Sequence, residues 1–414
     1  MNSELLFEKK SYVDRSVLIF LSLIEFVNPK NKTHQVLIGN KDWLLNQVSN
    51  TKKKFVCICV DGKIKNSSNV FSLNKDEVLY FTKKITLYEK SNLKGISDID
   101  GYKEDLKLIN LISDLKKYLN VEKVNYIPEG YEAVLLLSHD VDYIKTNMMY
   151  RLGRVYYLLN YLRLGKISLF FKNFIHFINQ MFLGRRWGYV EMLEIEKDFN
   201  ITSTWFMFSK VTNNNKLFNP NYELNDENVR ELINKIKINN SEIALHSSPE
   251  SAVNAEILEE EKRNLEFYAN EKVLGNRHHM GRFYPKKSFD IWINSNFKYD
   301  ASFLTNDKPM DISSTNHFFK IYDESCQKSI IEFPTQWMDV QYLNFLAHNE
   351  KKFKEETFKV IDNAFNNKLV LSMNWHGIPY IWYTNFYREV IDYCIQKGFY
   401  ISSYNNYLEN LNTN

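Results

Sequence analysis

Cysteine is scarce in this chain. Cys57, Cys59, Cys326 and Cys394 are the four in 414 residues, too few and too scattered for a disulfide framework. Cys57 and Cys59 alternate along a strand-like run with no second CxC or CxxC, so buried thiols are expected there. Net charge is nearly absent too: +3 at pH 7 gives no bulk attraction to nucleic acid. No run reaches the roughly 18 apolar residues that a membrane-spanning helix needs. Val17-Leu18-Ile19-Phe20-Leu21 is apolar, but Glu4, Glu8, Asp14 and Glu25 surround it and no small-residue cleavage site follows. A cytoplasmic protein is the expectation, with membrane association left open by one segment described below.

What is present is ordinary in bulk. Hydrophobic content of 44% with 25% charged residues suits a globular fold of two or three domains. Aromatics reach 15%, which suits a binding surface or a large core equally. Residues 1–125 read as a small α/β domain of unknown role, with a helix near 12–27, strand-like runs at 36–38, 55–60 and 85–88, and a helix near 103–119. No chemical motif assembles in it.

From residue 130 to about 410 the rhythm becomes regular. Strand-like runs at 134–142, 202–209, 242–246, 275–279, 299–303, 330–333, 369–376 and 400–403 alternate with helical patterns at 190–199, 225–238, 250–269, 286–296, 350–366 and 385–397. Such alternation implies parallel strands joined by crossover helices. Some seven or eight units point to an α/β fold built as a closed (β/α) barrel more than to an open sheet. One stretch breaks the rhythm. Residues 143–190 contain no Asp or Glu, but Lys145, Arg151, Arg154, Arg163, Lys166, Lys172, Arg185 and Arg186 among aromatic and aliphatic residues. This basic amphipathic insert either touches an anionic membrane surface or anionic substrate, or packs over the barrel mouth with its charges solvated.

The residues capable of chemistry fall at strand ends, where a parallel barrel builds its pocket. Val134-Leu135-Leu136-Leu137-Ser138-His139-Asp140-Val141-Asp142 is a buried strand ending in two carboxylates at i and i+2, on one face, with His139 on the other. Two close carboxylates call for a cation or a shared proton. His246 ends its strand; Arg277 and His279 share a face that His278 does not; Glu332 lies in Ile330-Ile331-Glu332-Phe333-Pro334; Trp375 and His376 end the run from Leu369. A lone strand-end His or Asp is more commonly a satisfied polar residue, and the recurrence is what marks a site. Carboxylate and imidazole ligands without thiolate suit Zn²⁺ or a neighbouring divalent transition metal.

These segments resemble the polysaccharide deacetylases with NodB homology, carbohydrate-esterase-like enzymes on a distorted (β/α) barrel that remove N- or O-acetyl groups from glycans with a divalent metal. Ser138–Asp142 resembles their first motif, with the acids one residue apart where the usual form has them adjacent. His246-Ser247-Ser248 resembles the start of the second, and 371–376 the last; 275–283, 299–302 and 331–334 are also similar to segments of the superfamily. The likeness spans roughly 130–408, and the order of the motifs is its specific part. It implies Asp140 as general base, Asp142 and His246 as metal ligands, His376 as general acid and Arg277 as the partner that tunes the base. Glu332 and Trp375 are taken as substrate-binding residues.

The departure lies at the third ligand, where the usual second His is replaced by Glu250. His279 is preferred as that ligand and Glu250 is the alternative. The function implied is metal-dependent removal of acetyl groups from an N-acetylated sugar or cell-envelope polysaccharide precursor. Two alternatives stand beside it: an inactive glycan-binding barrel, prompted by Glu250, and a metal-free glycoside hydrolase, which would need a second acid such as Glu332.

Overall fold

The computed structural model describes residues 4–9, 15–27, 34–49, 53–79, 114–115, 117–119, 126–144, 188–209, 220, 222–304, 318–323, 325, 327–346, 349–378 and 381–413, with scattered positions between 155 and 178. The strand-like run at 85–88, most of the helix near 103–119 and most of the 143–190 insert lie outside the described residues.

Strands β1 (Glu4–Phe7), β2 (His34–Gly39), β3 (Lys54–Cys59) and β4 (Val70–Asn74) form a parallel sheet in the order β1-β2-β3-β4. Only β2 and β3 carry the apolar runs that sequence reading detects; β1 and β4 are short and mixed. Cys57 and Cys59 are free and buried, and burial pushes the Cys57 thiol up to about 12, so both are inert core thiols.

The larger sheet comprises β5 (Ala133–Val141), β6 (Thr204–Met207), β7 (Glu242–Ser247), β8 (Gly275–His278), β9 (Tyr299–Asp300), β10 (Phe319–Tyr322), β11 (Ser329–Glu332), β12 (Trp337–Met338), β13 (Val370–Trp375) and β14 (Phe399–Ser402). Strands β5 to β9 are parallel neighbours in sequence order, and β13 flanks β5 on the other side. One segment closes the ring. Its first half, β11, pairs with β9 and continues with Phe333 N–H donating to Asp300 O at 2.9 Å and Thr335 N–H to Phe303 O at 2.7 Å. At Gln336 the partner changes: its N–H donates to Ser372 O at 3.2 Å, and β12 then pairs with β13. The ring β5-β6-β7-β8-β9-β11/β12-β13 is a distorted (β/α) barrel of seven staves. The run near 400, β14, is no eighth stave. It pairs with the start of β5, on the edge that β6 uses further along. An unforeseen strand, β10, lies antiparallel on β11, and the helix Arg15–Val27 reaches it through Ser22, whose Oγ accepts from Lys320 N–H at 3.0 Å.

Helices Tyr189–Asp198, Glu227–Ile238, Ala255–Ala269, Pro285–Asn294, Glu350–Asn366 and Ile381–Gln396 fill the crossovers. The helix expected over 250–269 is broken into a short turn, Ser251–Val253, and the helix proper, because Asn254 caps it by accepting from Glu256 and Ile257 N–H.

The two faces of the staves build two cores. Val134, Leu136, Phe206, Ala244, Tyr299, Phe333 and Val370 point inward with Tyr404 and Tyr407 of the last helix, Tyr404–Thr413. Leu135, Leu137, Leu371, Met373 and Trp375 point outward onto the helices. Burial on both faces is why β5 reads as an unbroken apolar run. Gly275 is demanded by close approach: a Cβ there would lie 2.0 Å from the Tyr299 ring. With one end filled by tyrosines, the polar end is the carboxyl end of the staves.

Candidate active site

Inward positions near the carboxyl ends of β5, β7, β8 and β13 carry Asp140, His246, Arg277 and His376; Asp142 and His279 follow two residues on. The period of two therefore brings these six together and sends their neighbours outward. His139 faces the helix layer, where its Nε2 meets Glu196 Oε1 at 2.6 Å and its ring stacks on Trp205. His278 likewise packs outward against Trp292, whose indole N–H donates to it at 2.8 Å.

Asp142, His246 and His279 form a group whose ligand atoms all lie within 4.8 Å of one another. His246 Nδ1 stands 2.9 Å from the carbonyl oxygen of Arg277, which can only accept. That bond puts a proton on Nδ1 and aims Nε2 at Asp142 Oδ1, 3.3 Å away; burial works to lower the His246 pKa, but Asp140 and Asp142 outweigh it and raise it. Asp142 Oδ1 is buried and receives no hydrogen bond. Burial, opposed by the Asp142 charge, lowers the His279 pKa to about 4, so its imidazole is neutral at pH 7 and able to ligate. A buried carboxylate oxygen beside two imidazoles, with no thiolate, is a donor set that can hold a divalent cation. Glu250 does not join this group. It sits in the turn before Ser251, where its charge acts on Glu261.

Beside the group stands Asp140, 3% exposed. Its Oδ1 accepts from Arg277 Nη1 at 2.7 Å, while its Oδ2 lies 3.7 Å from His246 Nε2 and 3.9 Å from His376 Nε2. Burial alone would raise its pKa, but the Arg277 guanidinium and the two imidazoles outweigh that and hold it well below the usual carboxylate range. Arg277 is itself fully buried over the Phe206 ring, 4.0 Å from its centroid, and donates to Ser138, Asn374, Thr335, Tyr404 and the carbonyl of Ala301. Ser138 and Asn374 are inward positions below the ends of β5 and β13, Thr335 lies between β11 and β12, and Tyr404 opens the last helix; no sequence pattern assigns any of the four to Arg277.

On the far side, His376 Nδ1 meets Asp339 Oδ1 at 2.6 Å, and its backbone N–H donates to Asp339 Oδ2 at 2.7 Å. Tyr383 hydrogen-bonds the same carboxylate. Burial works to lower the His376 pKa, but Asp339, Asp142 and Asp140 raise it to about 9, leaving the imidazole protonated at neutral pH. Its Nε2 faces Asp142 Oδ2 at 3.6 Å. Asp339 is the residue sequence reading missed. It directly follows β12 and opens the helix Asp339–Phe345, so it stands at a strand's carboxyl end, but a two-residue strand leaves no pattern to read.

Glu332 and Trp375 are corrected as substrate-binding residues. Glu332 is fully buried on the outward face, paired in register with Asp300 and accepting from Phe303 N–H at 3.0 Å. It therefore cannot serve as a second acid for glycoside cleavage. Trp375 lies between inward-facing Asn374 and His376, so it points outward and packs edge-on and tilted among Trp337, Tyr383 and Tyr387, with no exposed surface.

No protein-family model and no curated protein matches the chain. Solved structures similar to it include a proposed polysaccharide deacetylase from Mycobacterium smegmatis, 15% identical with a TM-score of 0.45, covering 69% of this chain and 92% of that one. A mutant of a CE4 family pseudoenzyme with restored enzymatic activity is 12% identical with a TM-score of 0.35, over 68% and 69% of the two chains. The peptidoglycan deacetylase PdaC from Bacillus subtilis is 8% identical with a TM-score of 0.34, over 69% and 95%. These neighbours are distant in sequence and structure.

Proposed function

We propose that this chain is a metal-dependent deacetylase that hydrolyses acetyl groups from an N-acetylated glycan or glycan precursor. The observation that carries the reading is the convergence of Asp142, His246 and His279, with an ionised acid and a protonated imidazole beside them. A divalent cation held by those three residues would polarise an acyl carbonyl and acidify a water.

The rest falls to the chain itself. Asp140, kept ionised by Arg277, takes a proton from the attacking water. His376, kept charged by Asp339, gives its Nε2 proton to the leaving nitrogen as the C–N bond breaks, releasing acetate and a free amine. Acid and base are thus set apart by environment: one carboxylate facing a guanidinium, one imidazole facing a carboxylate. The glycan substrate is supported by the ordered motifs shared with the polysaccharide deacetylases. The test is acetate release from N-acetylated chitooligosaccharides and peptidoglycan fragments by protein loaded with Zn²⁺, against chelated protein. Release that requires the metal and disappears in Asp140→Asn supports the reading; equal release after chelation, or reducing ends in place of acetate, refutes it.

A further inference from the structure

The segment after β5 carries a surface that the site does not use. At its described positions it is helical on both sides of Gly165, which adopts φ +69° and donates its N–H to Leu162 O at 3.0 Å. Before that turn Val155, Leu159 and Leu162 are exposed; after it Ile167, Phe171 and Phe174 are, all six between 38% and 59%. Both sets follow the spacing i, i+4, i+7, which lays each on one helical face. Apolar stripes of this kind are seldom left to water without a partner.

Charge selects the partner. Residues 143–190 hold eight Lys and Arg and no Asp or Glu. Among the described positions Arg163, beside Leu162, is exposed. Exposed aliphatic and aromatic stripes combined with an unbroken basic sequence are the mark of helices that lie in the headgroup region of an anionic bilayer. No helix among the described residues is long and apolar enough to cross a membrane. We infer that the exposed apolar positions on either side of Gly165, with Arg163 beside them, dock this protein peripherally on an anionic phospholipid surface.

The segment is rooted at the site on both sides. It begins directly after Asp142, and where it ends Gly188 N–H donates to Gly377 O at 2.8 Å, next to His376. The following Tyr189 donates its hydroxyl to Asp140 O at 2.7 Å. Docking would therefore anchor the chain beside the site.

The experiment is co-sedimentation of the full chain with vesicles of phosphatidylcholine alone and with about a third replaced by phosphatidylglycerol, at low and high salt. The wild type should bind the anionic vesicles, more weakly at high salt. Leu159→Ser/Phe171→Ser should weaken binding about tenfold or more, since the exposed apolar area drives insertion. Arg163→Gln should weaken it about fivefold at low salt. Thermal unfolding of each variant should match the wild type; if the double variant does not fold, Arg163→Gln and the salt dependence decide. A wild type that ignores both vesicles, or sediments as a dimer that Leu159→Ser/Phe171→Ser separates, overturns the inference, the second result assigning the surface to another copy of the chain.

Discussion

Replacing Arg277 by Met should be the most costly single substitution near the site, for reasons independent of any reaction. The guanidinium is fully buried, contacts Asp140 at 2.7 Å and satisfies five further acceptors. Methionine fills much of the volume but leaves Asp140 as a buried charge facing oxygen atoms. Removing one partner of such a pair costs about 3–5 kcal/mol. An exposed pair at the same distance would cost about 0–1 kcal/mol. Urea unfolding of chelated protein, followed by tryptophan fluorescence, measures the loss without interference from a metal. The Asp140→Asn/Arg277→Met double variant should be less destabilised than the sum of the singles, with a coupling of about 1–3 kcal/mol. A loss under about 1 kcal/mol for Arg277→Met, or strict additivity, would refute the claim that this pair is buried and mutually dependent.

Asp339→Asn should lower deacetylation about 10²–10⁴-fold in kcat with a smaller effect on KM, because His376 loses the partner that keeps it charged and oriented; rates against acetate release check it. Asp300 and Glu332 are fully buried carboxyls in register, and burial first, then their mutual repulsion, raises Glu332 well above its ordinary value; burial takes Asp300 to about 6. Raised carboxyls favour the fold while protonated, so their stabilisation is complete below about 4 and is lost as pH rises through about 6. Glu332→Gln, whose amide can still accept from Phe303 and donate to Asp300, should therefore gain on the wild type in melting temperature between pH 5 and 8; a constant difference across that range would sink the assignment. Gly275→Ala should destabilise the barrel by about 3 kcal/mol or more, since the new methyl falls on the Tyr299 ring; an unchanged urea midpoint would show that the register is different.

Strand periodicity is what made the site legible. Asp140 and Asp142, and Arg277 and His279, are pairs at i and i+2, so one rule turned each pair inward and turned His139 and His278 away. The same rule turns Glu332 and Trp375 outward, since both stand between inward residues, and chemical type alone points the wrong way for them. Asp339 escaped because β12 spans only two residues and its neighbours Trp337 and Met338 carry no alternation. Tyr404 and Thr335 were out of reach for another reason: their role is to satisfy Arg277, and partners of a buried charge are set by tertiary closure. Barrel closure was hidden likewise. Nothing in residues 329–338 announces that one segment pairs with β9 and then with β13.

The proposed deacetylase chemistry depends on a divalent cation held by Asp142, His246 and His279, with Glu250 outside that group. The most direct test is isothermal titration of chelated protein with Zn²⁺, with elemental analysis of the loaded samples. The wild type and Glu250→Ala should bind one zinc per chain with like affinity, whereas Asp142→Ala, His246→Ala and His279→Ala should each weaken binding at least about 100-fold, as loss of one of three ligands requires. Undiminished zinc binding in His279→Ala, or loss of it in Glu250→Ala, would contradict the account.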